Sequence, residues 1–225
     1  MSLLRQALLV GSKDLRIELR GRHATGAAAP FVATVLLSFG LALGPGRSLL
    51  RQTAPGLLWL AVLFASTMAF RSSYRAETED GAIDSLVLSP VDDAAVFLGK
   101  AAAVSVELLA LEALVLALAA GLFDLSLVGQ PLVLLAAVGL GTVGLSLVGS
   151  LFGIVAESSA TGEGLLPLLV LPLATPVLLA GVRATAMATS GHGAEAGSWL
   201  GLLLAFDLCF AAVGVLAFGA LMEER

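Results

Sequence analysis

The chain has 225 residues, of which 58% are hydrophobic and 13% charged, and its mean hydropathy is +1.00. A soluble domain needs more polar residues to cover its surface, so this composition excludes an ordinary water-soluble fold and predicts an integral membrane protein. The net charge of −5 excludes nucleic-acid binding, which depends on clustered basic side chains. The single cysteine, Cys209, excludes an internal disulfide and a multi-cysteine metal motif.

The N-terminal segment, residues 1–26, is too charged to cross a bilayer but carries leucines spaced by about one turn or two, at positions 4, 8, 15 and 19. This pattern predicts a helix that lies in the membrane interface, with its basic residues near anionic headgroups. Gly11 and Ser12 have low helix propensity, so a solvated disordered tail remains the alternative. Charges interrupt the apolar positions and no cleavage site precedes the first span, so we expect the segment to be retained.

Six later stretches are apolar and long enough to span the hydrocarbon core as helices, because a closed helix of about 20 residues crosses roughly 30 Å. They are residues 27–44, 53–70, 101–122, 131–153, 164–184 and 198–221. The sequence therefore predicts a single transmembrane domain with an all-α fold of six membrane-spanning helices.

The second span is predicted to begin at Thr53, whose hydroxyl can cap free amides, with Pro55 in the first turn. Trp59 follows one turn later and is predicted at interface depth, where tryptophans are common. Small residues recur every three or four positions on the fourth span and predict close helix packing. They are Gly139, Thr142, Ser146, Gly149 and Gly153.

The distribution of basic residues predicts that both termini face the cytoplasm. With an inside N-terminus, nine Lys and Arg residues lie on the cytoplasmic side and three on the other. The outer three are Arg47, Arg51 and Arg183.

The polar segment 71–100 between the second and third spans is acidic, with two basic residues against six acidic ones over 71–99. Asp80 can cap a short helix in which Ile83, Leu86 and Val87 form one apolar stripe. Ser89 and Pro90 end that helix, and Asp92 and Asp93 then fall in the first turn of the next. A short helix with an apolar stripe and an acidic rim is typical of a surface for a protein partner. A helix resting on headgroups is the alternative, although the cytoplasmic leaflet is itself negative.

Catalytic and nucleotide-binding motifs are missing from the sequence. Gly99 and Lys100 form the only Gly-Lys pair, but Ala101 follows where a P-loop needs Ser or Thr. The two histidines, His23 and His192, are predicted at opposite membrane faces, so we expect no metal site. Any ATP must be bound by another chain.

Three carboxylates fall inside predicted spans, where a charge is costly, and each is a candidate polar contact. Glu107 and Glu112 are five residues apart on the third span and point about 140° away from each other, which disfavours a shared ion site. Asp207 lies about 14 Å into the sixth span. Pro167, Pro172 and Pro176 are predicted to divide the fifth span, as a static kink or a moving helix.

Several motifs, taken together and in order, resemble the heme exporter protein B family. They are Ala54-Pro55-Gly56 with Trp59, Asp80-Gly81, LVLSP at 86–90 ahead of Lys100, and LVLPLATPV at 169–177. The resemblance covers essentially the whole chain. It implies the permease subunit of the bacterial cytochrome c maturation system, with an ABC-2 (type V) exporter-like fold in the inner membrane.

The resemblance also implies a set of partners: a second copy of the chain, a separate ABC ATPase subunit, a tryptophan-rich heme-handling membrane protein, a small accessory membrane subunit and a heme chaperone. Heme is handled by the complex and ATP by the partner subunit, with no cofactor assigned to this chain. In such exporters a cytoplasmic coupling helix contacts the ATPase. Here that helix corresponds to 80–89, and its predicted contacts are Asp80, Ile83, Asp84, Leu86 and Val87.

Two other functions are compatible with the composition. One is an ABC-2 permease for a lipid or drug, and the other is an ion-coupled carrier that uses Glu107, Glu112 or Asp207. A carrier usually shows inverted repeats with matched broken helices, and no such repeat is visible in the sequence. Co-purification with an ATPase and a heme-handling protein would distinguish the maturation role from the lipid or drug permease.

Overall fold

The computed structural model describes residues 2–21, 23–79, 91–157 and 162–223, and every regular element in these ranges is helical. The seven α-helices are α1 (Leu3–Gly21), α2 (His23–Leu43), α3 (Arg47–Glu79), α4 (Asp93–Phe123), α5 (Pro131–Glu157), α6 (Gly162–Thr189) and α7 (Gly197–Glu223). A short 3₁₀ helix, Gly193–Ala196, connects α6 to α7.

The prediction of an all-α integral membrane protein is confirmed. Within the described residues, five helical segments are long and apolar enough to cross a membrane: Arg47–Phe70, Asp93–Phe123, Pro131–Gly153, Leu169–Thr189 and Gly193–Gly219. They correspond to the second to sixth predicted spans. The first predicted span corresponds to α2, whose apolar stretch, Ala28–Leu43, is shorter.

The predicted start of the second span at Thr53 is wrong, because α3 begins at Arg47 and contains Pro55 in its interior. Thr53 does not cap free amides; its hydroxyl donates a hydrogen bond to the carbonyl of Leu49, 2.9 Å away in the preceding turn. The side chain of Arg51 is held by Asp124 at the end of α4. A proline inside a membrane-spanning helix is tolerated where neighbouring groups satisfy the carbonyl that it frees.

The fifth predicted span is a continuous helix through its prolines, and a kink within that helix stays a prediction. Helix α6 continues without a break from Gly162 to Thr189, through all three proline positions. Pro172 and Pro176 both lie on the exposed side of this helix.

Trp59 lies in the main hydrophobic core, packed between helices, and its depth at the membrane interface stays a prediction. Its side chain is 1% exposed, and its indole N–H donates a hydrogen bond to Thr185 Oγ1 of α6 at 3.0 Å. The ring fills the space that side chains at Gly141 of α5 and Gly181 of α6 would need. The tryptophan of α3 therefore packs directly against the backbones of two other helices.

Two phenylalanines pack in the same way. Phe70 of α3 lies against Gly149 of α5, and Phe97 of α4 lies against Gly214 of α7. Phe97 also contacts Phe218, with ring centroids 5.5 Å apart. The prediction of close packing at the small residues of the fourth span thus holds at Gly149.

Contacts at the two ends of the bundle establish which ends of the helices lie together. Gln6 of α1 contacts Asp92 at the start of α4, and Gly219 near the end of α7 lies against Asp93. At the opposite end, Arg51 contacts Asp124, and Gln130 donates to the carbonyl of Gly191 at 3.1 Å. The beginning and the end of the described chain therefore lie at the same end of the bundle.

We expect Gly141→Ala to destabilise the protein because its new methyl group would overlap the Trp59 ring. Overpacking of this kind costs about 1 to 3 kcal/mol of the free energy of unfolding. Gly139→Ala on the same helix is the control, since no atom lies within 4 Å of its added methyl group. Unfolding of the purified protein in mixed micelles by SDS titration measures both, and equal stability of the two variants would contradict the Trp59 packing.

Candidate functional site

The predicted coupling residues Asp80, Ile83, Asp84, Leu86 and Val87 lie outside the described residues. They belong to residues 80–90, which we call the coupling segment. The chain on both sides of this segment is described, because α3 ends at Glu79 and the chain resumes at Val91. The geometry of the start of α4 and of the helix packed against it therefore characterises this end of the bundle.

Helix α4 begins with the acidic residues that the sequence predicts there. Asp92 is the N-cap, and its Oδ1 accepts a hydrogen bond from the backbone N–H of Ala94 at 2.9 Å. Asp93 occupies the first turn, where a negative charge stabilises the helix by opposing its dipole. The start of α4 is thus a well-capped helix end immediately after the predicted coupling segment.

Helix α1 packs along the first turns of α4, with its backbone in close contact. A methyl group on Gly11 would lie 2.8 Å from the carbonyl oxygen of Gly99, and one on Gly99 would lie 2.7 Å from the carbonyl oxygen of Ala7. Val10 completes a small hydrophobic cluster with Val96, Phe97 and residues of α5 and α7. Only glycine at both positions allows the two helices to cross this closely.

Two of the leucines that predict an amphipathic helix, Leu4 and Leu8, lie on the outer side of α1. Leu4 and Leu8 are 71% and 73% exposed, whereas Val10 and Gly11 face α4. Helix α1 therefore has one face packed on the bundle and an apolar face left outward. The outward leucines fit the predicted contact with the membrane interface.

Polar contacts reinforce the α1–α4 packing at both ends. The backbone N–H of Asp92 donates to Gln6 Oε1 at 3.1 Å. One turn beyond Gly11, Asp14 Oδ2 lies 3.8 Å from Lys100 Nζ, and Asp14 Oδ1 lies 3.0 Å from Lys13 Nζ. Because the side chain of Lys100 is only 3% exposed, its pairing with Asp14 is shielded from water.

Glu112 is buried between α4 and α5, with 2% of its surface exposed. Thr142 Oγ1 lies 2.6 Å from Glu112 Oε2 and 2.7 Å from the carbonyl oxygen of Val138. A hydroxyl has one proton, so Thr142 can donate fully to only one of these oxygens. Both contacts are satisfied together when Glu112 carries its own proton and donates it to Thr142, which then donates to Val138.

The other two intramembrane carboxylates differ in their surroundings. Asp207 of α7 lies against Gly144 of α5, and the buried Oε1 of Glu107 has no hydrogen-bond partner among the described residues. Asp207 is 6% exposed, and neither of its oxygens has a hydrogen-bond partner among the described residues. Glu112 and Asp207 therefore face different helix contacts, Glu112 at Thr142 and Asp207 at Gly144.

The predicted outer end of the bundle is held by a second set of polar contacts. Asp124 ends α4 in the left-handed conformation, with φ of 54°, and accepts a hydrogen bond from Arg51 Nε at 3.1 Å. Arg47 lies 3.8 Å from the same carboxylate. His192 is exposed at this end and lies 3.2 Å from the hydroxyl of Ser190.

The packing of α1 on α4 is the part of this site that sequence reasoning missed. From the sequence alone, Gly11 indicates a weak point of the predicted helix, and Lys100 is a cytoplasmic basic residue in a Gly-Lys pair that lacks the P-loop pattern. Gly11 and Gly99 do carry a signal, since a glycine within an otherwise helical pattern often marks a close backbone approach. No pattern within either helix indicates, however, that these two glycines contact each other.

Comparison with known proteins identifies relatives along most of the chain. A family model described as CcmB protein matches residues 5–224. Heme exporter protein B of Pseudomonas aeruginosa is 37% identical over 171 residues, covering 72% of this chain and 74% of that protein. The protein of the same name from Rhodobacter capsulatus is 33% identical over 189 residues, covering 82% and 84%. That from Bradyrhizobium diazoefficiens is 31% identical over 215 residues, covering 94% and 95%.

We expect Thr142→Val to destabilise the protein because it removes the described hydrogen-bond partner of the buried Glu112. The loss in the free energy of unfolding should be about 1 kcal/mol, as for other buried hydrogen bonds between helices. Thr175→Val is the matched control, since Thr175 lies on the exposed side of α6 and bonds a carbonyl of its own helix at 3.2 Å. SDS titration of both purified variants tests this, and an equal effect would show that the Glu112 contact contributes nothing specific.

Proposed function

Because the chain belongs to the CcmB protein family, we propose that it is the permease subunit of an ABC-type complex that acts in cytochrome c maturation. The observation that carries this proposal is the family match across residues 5–224. Curated relatives that match most of the chain are named heme exporter protein B. The chain is a multi-pass membrane protein and a transporter component, and it handles heme as part of a larger complex.

A separate ATPase subunit supplies the energy in this proposal. Gly99 and Lys100 form the only Gly-Lys pair in the sequence, and the fold uses both residues for packing. Gly99 is pressed against the backbone of α1, and Lys100 pairs with Asp14 at 3% side-chain exposure. Neither residue is available to cradle a phosphate, which supports ATP binding by another chain.

The ATPase contacts this chain through the coupling segment, at Asp80, Ile83, Asp84, Leu86 and Val87. Support comes from the position of that segment between α3 and the capped start of α4. Its acidic residues and apolar stripe suit a protein surface better than the negative leaflet. Force applied to the segment would reach α3 at one end and α4 at the other.

The complex lies in the bacterial inner membrane, with both termini of this chain in the cytoplasm. The placement of α1 and the end of α7 at one end of the bundle supports a common side for both termini. The excess of basic residues on that side supports the cytoplasm. Further proposed partners are a second copy of the chain, a tryptophan-rich heme-handling membrane protein, a small accessory membrane subunit and the heme chaperone.

The polar residues within the spans favour ATP-driven coupling over an ion-coupled carrier. Glu112 contacts Thr142 and Asp207 lies against Gly144, so these two carboxylates face different neighbours. Ion coupling through a common carboxylate site has no geometric basis in the described residues. An ABC-2 permease for a lipid or drug differs from the proposed function in its partners, which the first experiment below identifies.

Deleting the gene in its host should abolish holo c-type cytochromes, because heme would not reach them, and a plasmid copy should restore them. Heme-stained gels of membrane and periplasmic fractions measure the holo-cytochrome level.

Purification of the tagged chain from the same host should recover an ATPase together with a heme-handling membrane protein. Normal holo-cytochrome levels in the deletion strain, or recovery of an ATPase alone, would contradict the proposed function.

The double variant Ile83→Asp with Leu86→Asp should abolish retention of the ATPase, because two charges would interrupt the apolar stripe that contacts it. Membrane insertion should be unchanged, since the stripe lies outside the predicted spans. A detergent pull-down on the tagged chain measures ATPase retention. Leu41→Asn is the control, because Leu41 is exposed at the opposite end of the bundle and its substitution should leave ATPase retention unchanged. Full retention by the double variant would exclude this segment as the ATPase contact.

A further inference from the structure

We propose that Gln6, Gly11 and Asp14 of α1 are positioning residues. They hold the start of α4, and with it the end of the coupling segment, in the position where the ATPase subunit acts on the bundle. This inference rests on the proposed function for its consequence in cytochrome maturation. Its structural part rests on the described contacts between α1 and α4. We call these contacts the α1–α4 clamp: Gln6 with Asp92, Gly11 with Gly99, and Asp14 with Lys100.

The three contacts follow one another in the same order along both helices. Positions 6, 11 and 14 of α1 meet positions 92, 99 and 100 of α4. The two helices therefore run side by side in the same chain direction over the first turns of α4. A helix held at three successive points moves together with its neighbour.

The contact at Gly11 and Gly99 leaves no room for adjustment. Each glycine meets the backbone of the other helix, and a backbone atom cannot move aside as a flexible side chain can. Gly99 is the position of α4 that accommodates Ala7 and Val10, so a shift of α4 along its axis would bring a larger residue against them. The start of α4 and α1 therefore move together.

The contact at Gln6 reaches the residue closest to the coupling segment. Asp92 stands two residues after Pro90 and caps α4 with its side chain, while its backbone N–H is held by Gln6. The backbone N–H and the carboxylate of Asp92 are therefore both occupied in fixing where α4 begins. Gln6 is the one residue of α1 that holds this junction directly among the described contacts.

The outward face of α1 gives the α1–α4 clamp a second role, which is to fix the start of α4 relative to the membrane. Leu4 and Leu8 are directed away from the bundle and suit the membrane interface. A helix anchored in the interface on one side and clamped to α4 on the other gives the start of α4 a fixed reference in the membrane plane. Without the clamp, a push on the coupling segment would displace that segment instead of moving the bundle.

The first test measures position directly and does not depend on cytochrome maturation. Ser85→Cys, in a Cys209→Ser background, introduces a cysteine into the predicted coupling helix for labelling by a membrane-impermeant maleimide in inverted vesicles. Gly99→Ala should change its labelling rate by about fivefold or more, within the usual range of coupling between sites. Gly121→Ala on the same helix is the control, since no atom lies within 4 Å of its added methyl group. Equal labelling rates in the two variants would overturn the inference.

The second test asks whether cytochrome maturation depends on the α1–α4 clamp. Gln6→Ala removes the acceptor for the Asp92 N–H, whereas Gln6→Glu keeps a carboxyl oxygen in its place. Gln6→Ala should lower holo-cytochrome per unit of membrane-inserted protein by about fivefold, with the ATPase still retained in a pull-down, and Gln6→Glu should preserve maturation. Unchanged maturation in Gln6→Ala, or a loss explained fully by lower protein level or lost ATPase, would overturn a positioning role.

The two proposals fail differently. If gene deletion leaves holo-cytochromes normal, the proposed function is wrong, and the maleimide experiment alone decides the α1–α4 clamp. If deletion abolishes holo-cytochromes but Gly99→Ala and Gln6→Ala behave like the wild type in both tests, the function stands and the clamp is wrong. Should Gly99→Ala fail to insert, the matched Gln6 variants decide the question, with Ser85→Cys labelling measured in them.

Discussion

The packing of Trp59 against two glycines is the contact on which the rest of the bundle depends. Lipid tails are as apolar as leucine, so burial of apolar area drives helices together only weakly in a membrane, and close packing and hydrogen bonds take its place. Trp59 supplies both. Its ring lies against Gly141 and Gly181, and its N–H, which finds no partner in lipid, donates to Thr185. One side chain thereby sets the rotation of α3 relative to both α5 and α6.

A second aromatic contact fixes the register of the same pair of helices. Phe70 lies eleven residues after Trp59 on α3, and its partner Gly149 lies eight residues after Gly141 on α5. Two points of contact along one pair of helices exclude both sliding and rotation of one against the other. Helix α4 is held differently, by α1 at Gly99 and by α7 through Phe97 and Gly214. The coupling segment therefore connects two helices with different sets of close contacts.

The elements that could be predicted from sequence are those that depend on local chemistry. Apolar length predicts the spans, an acidic pair predicts the capped start of α4, and the spacing of Glu107 and Glu112 predicts that they face different neighbours. Contacts between helices could not be predicted, because a glycine indicates a close approach without indicating which aromatic ring fills it. Trp59 shows the difference. Its position near a helix start predicts its depth in the membrane but not the two glycines that accommodate it, which lie 82 and 122 residues further along the chain.

The two intramembrane carboxylates with described neighbours face different helix contacts. A cation site built from several carboxylates would require them to share a position. Glu112 instead engages Thr142 across the α4–α5 contact, and Asp207 faces Gly144 across the α5–α7 contact. What joins these helices is close packing at aromatic and glycine contacts, which transmits displacement rather than charge. In the proposed function a force is applied at the end of the bundle, through the segment that connects α3 to α4, two helices with different sets of close contacts. A partner supplies that force in the proposal, which agrees with the use of Gly99 and Lys100, the nearest approach to a phosphate-binding motif, in holding α1 in place.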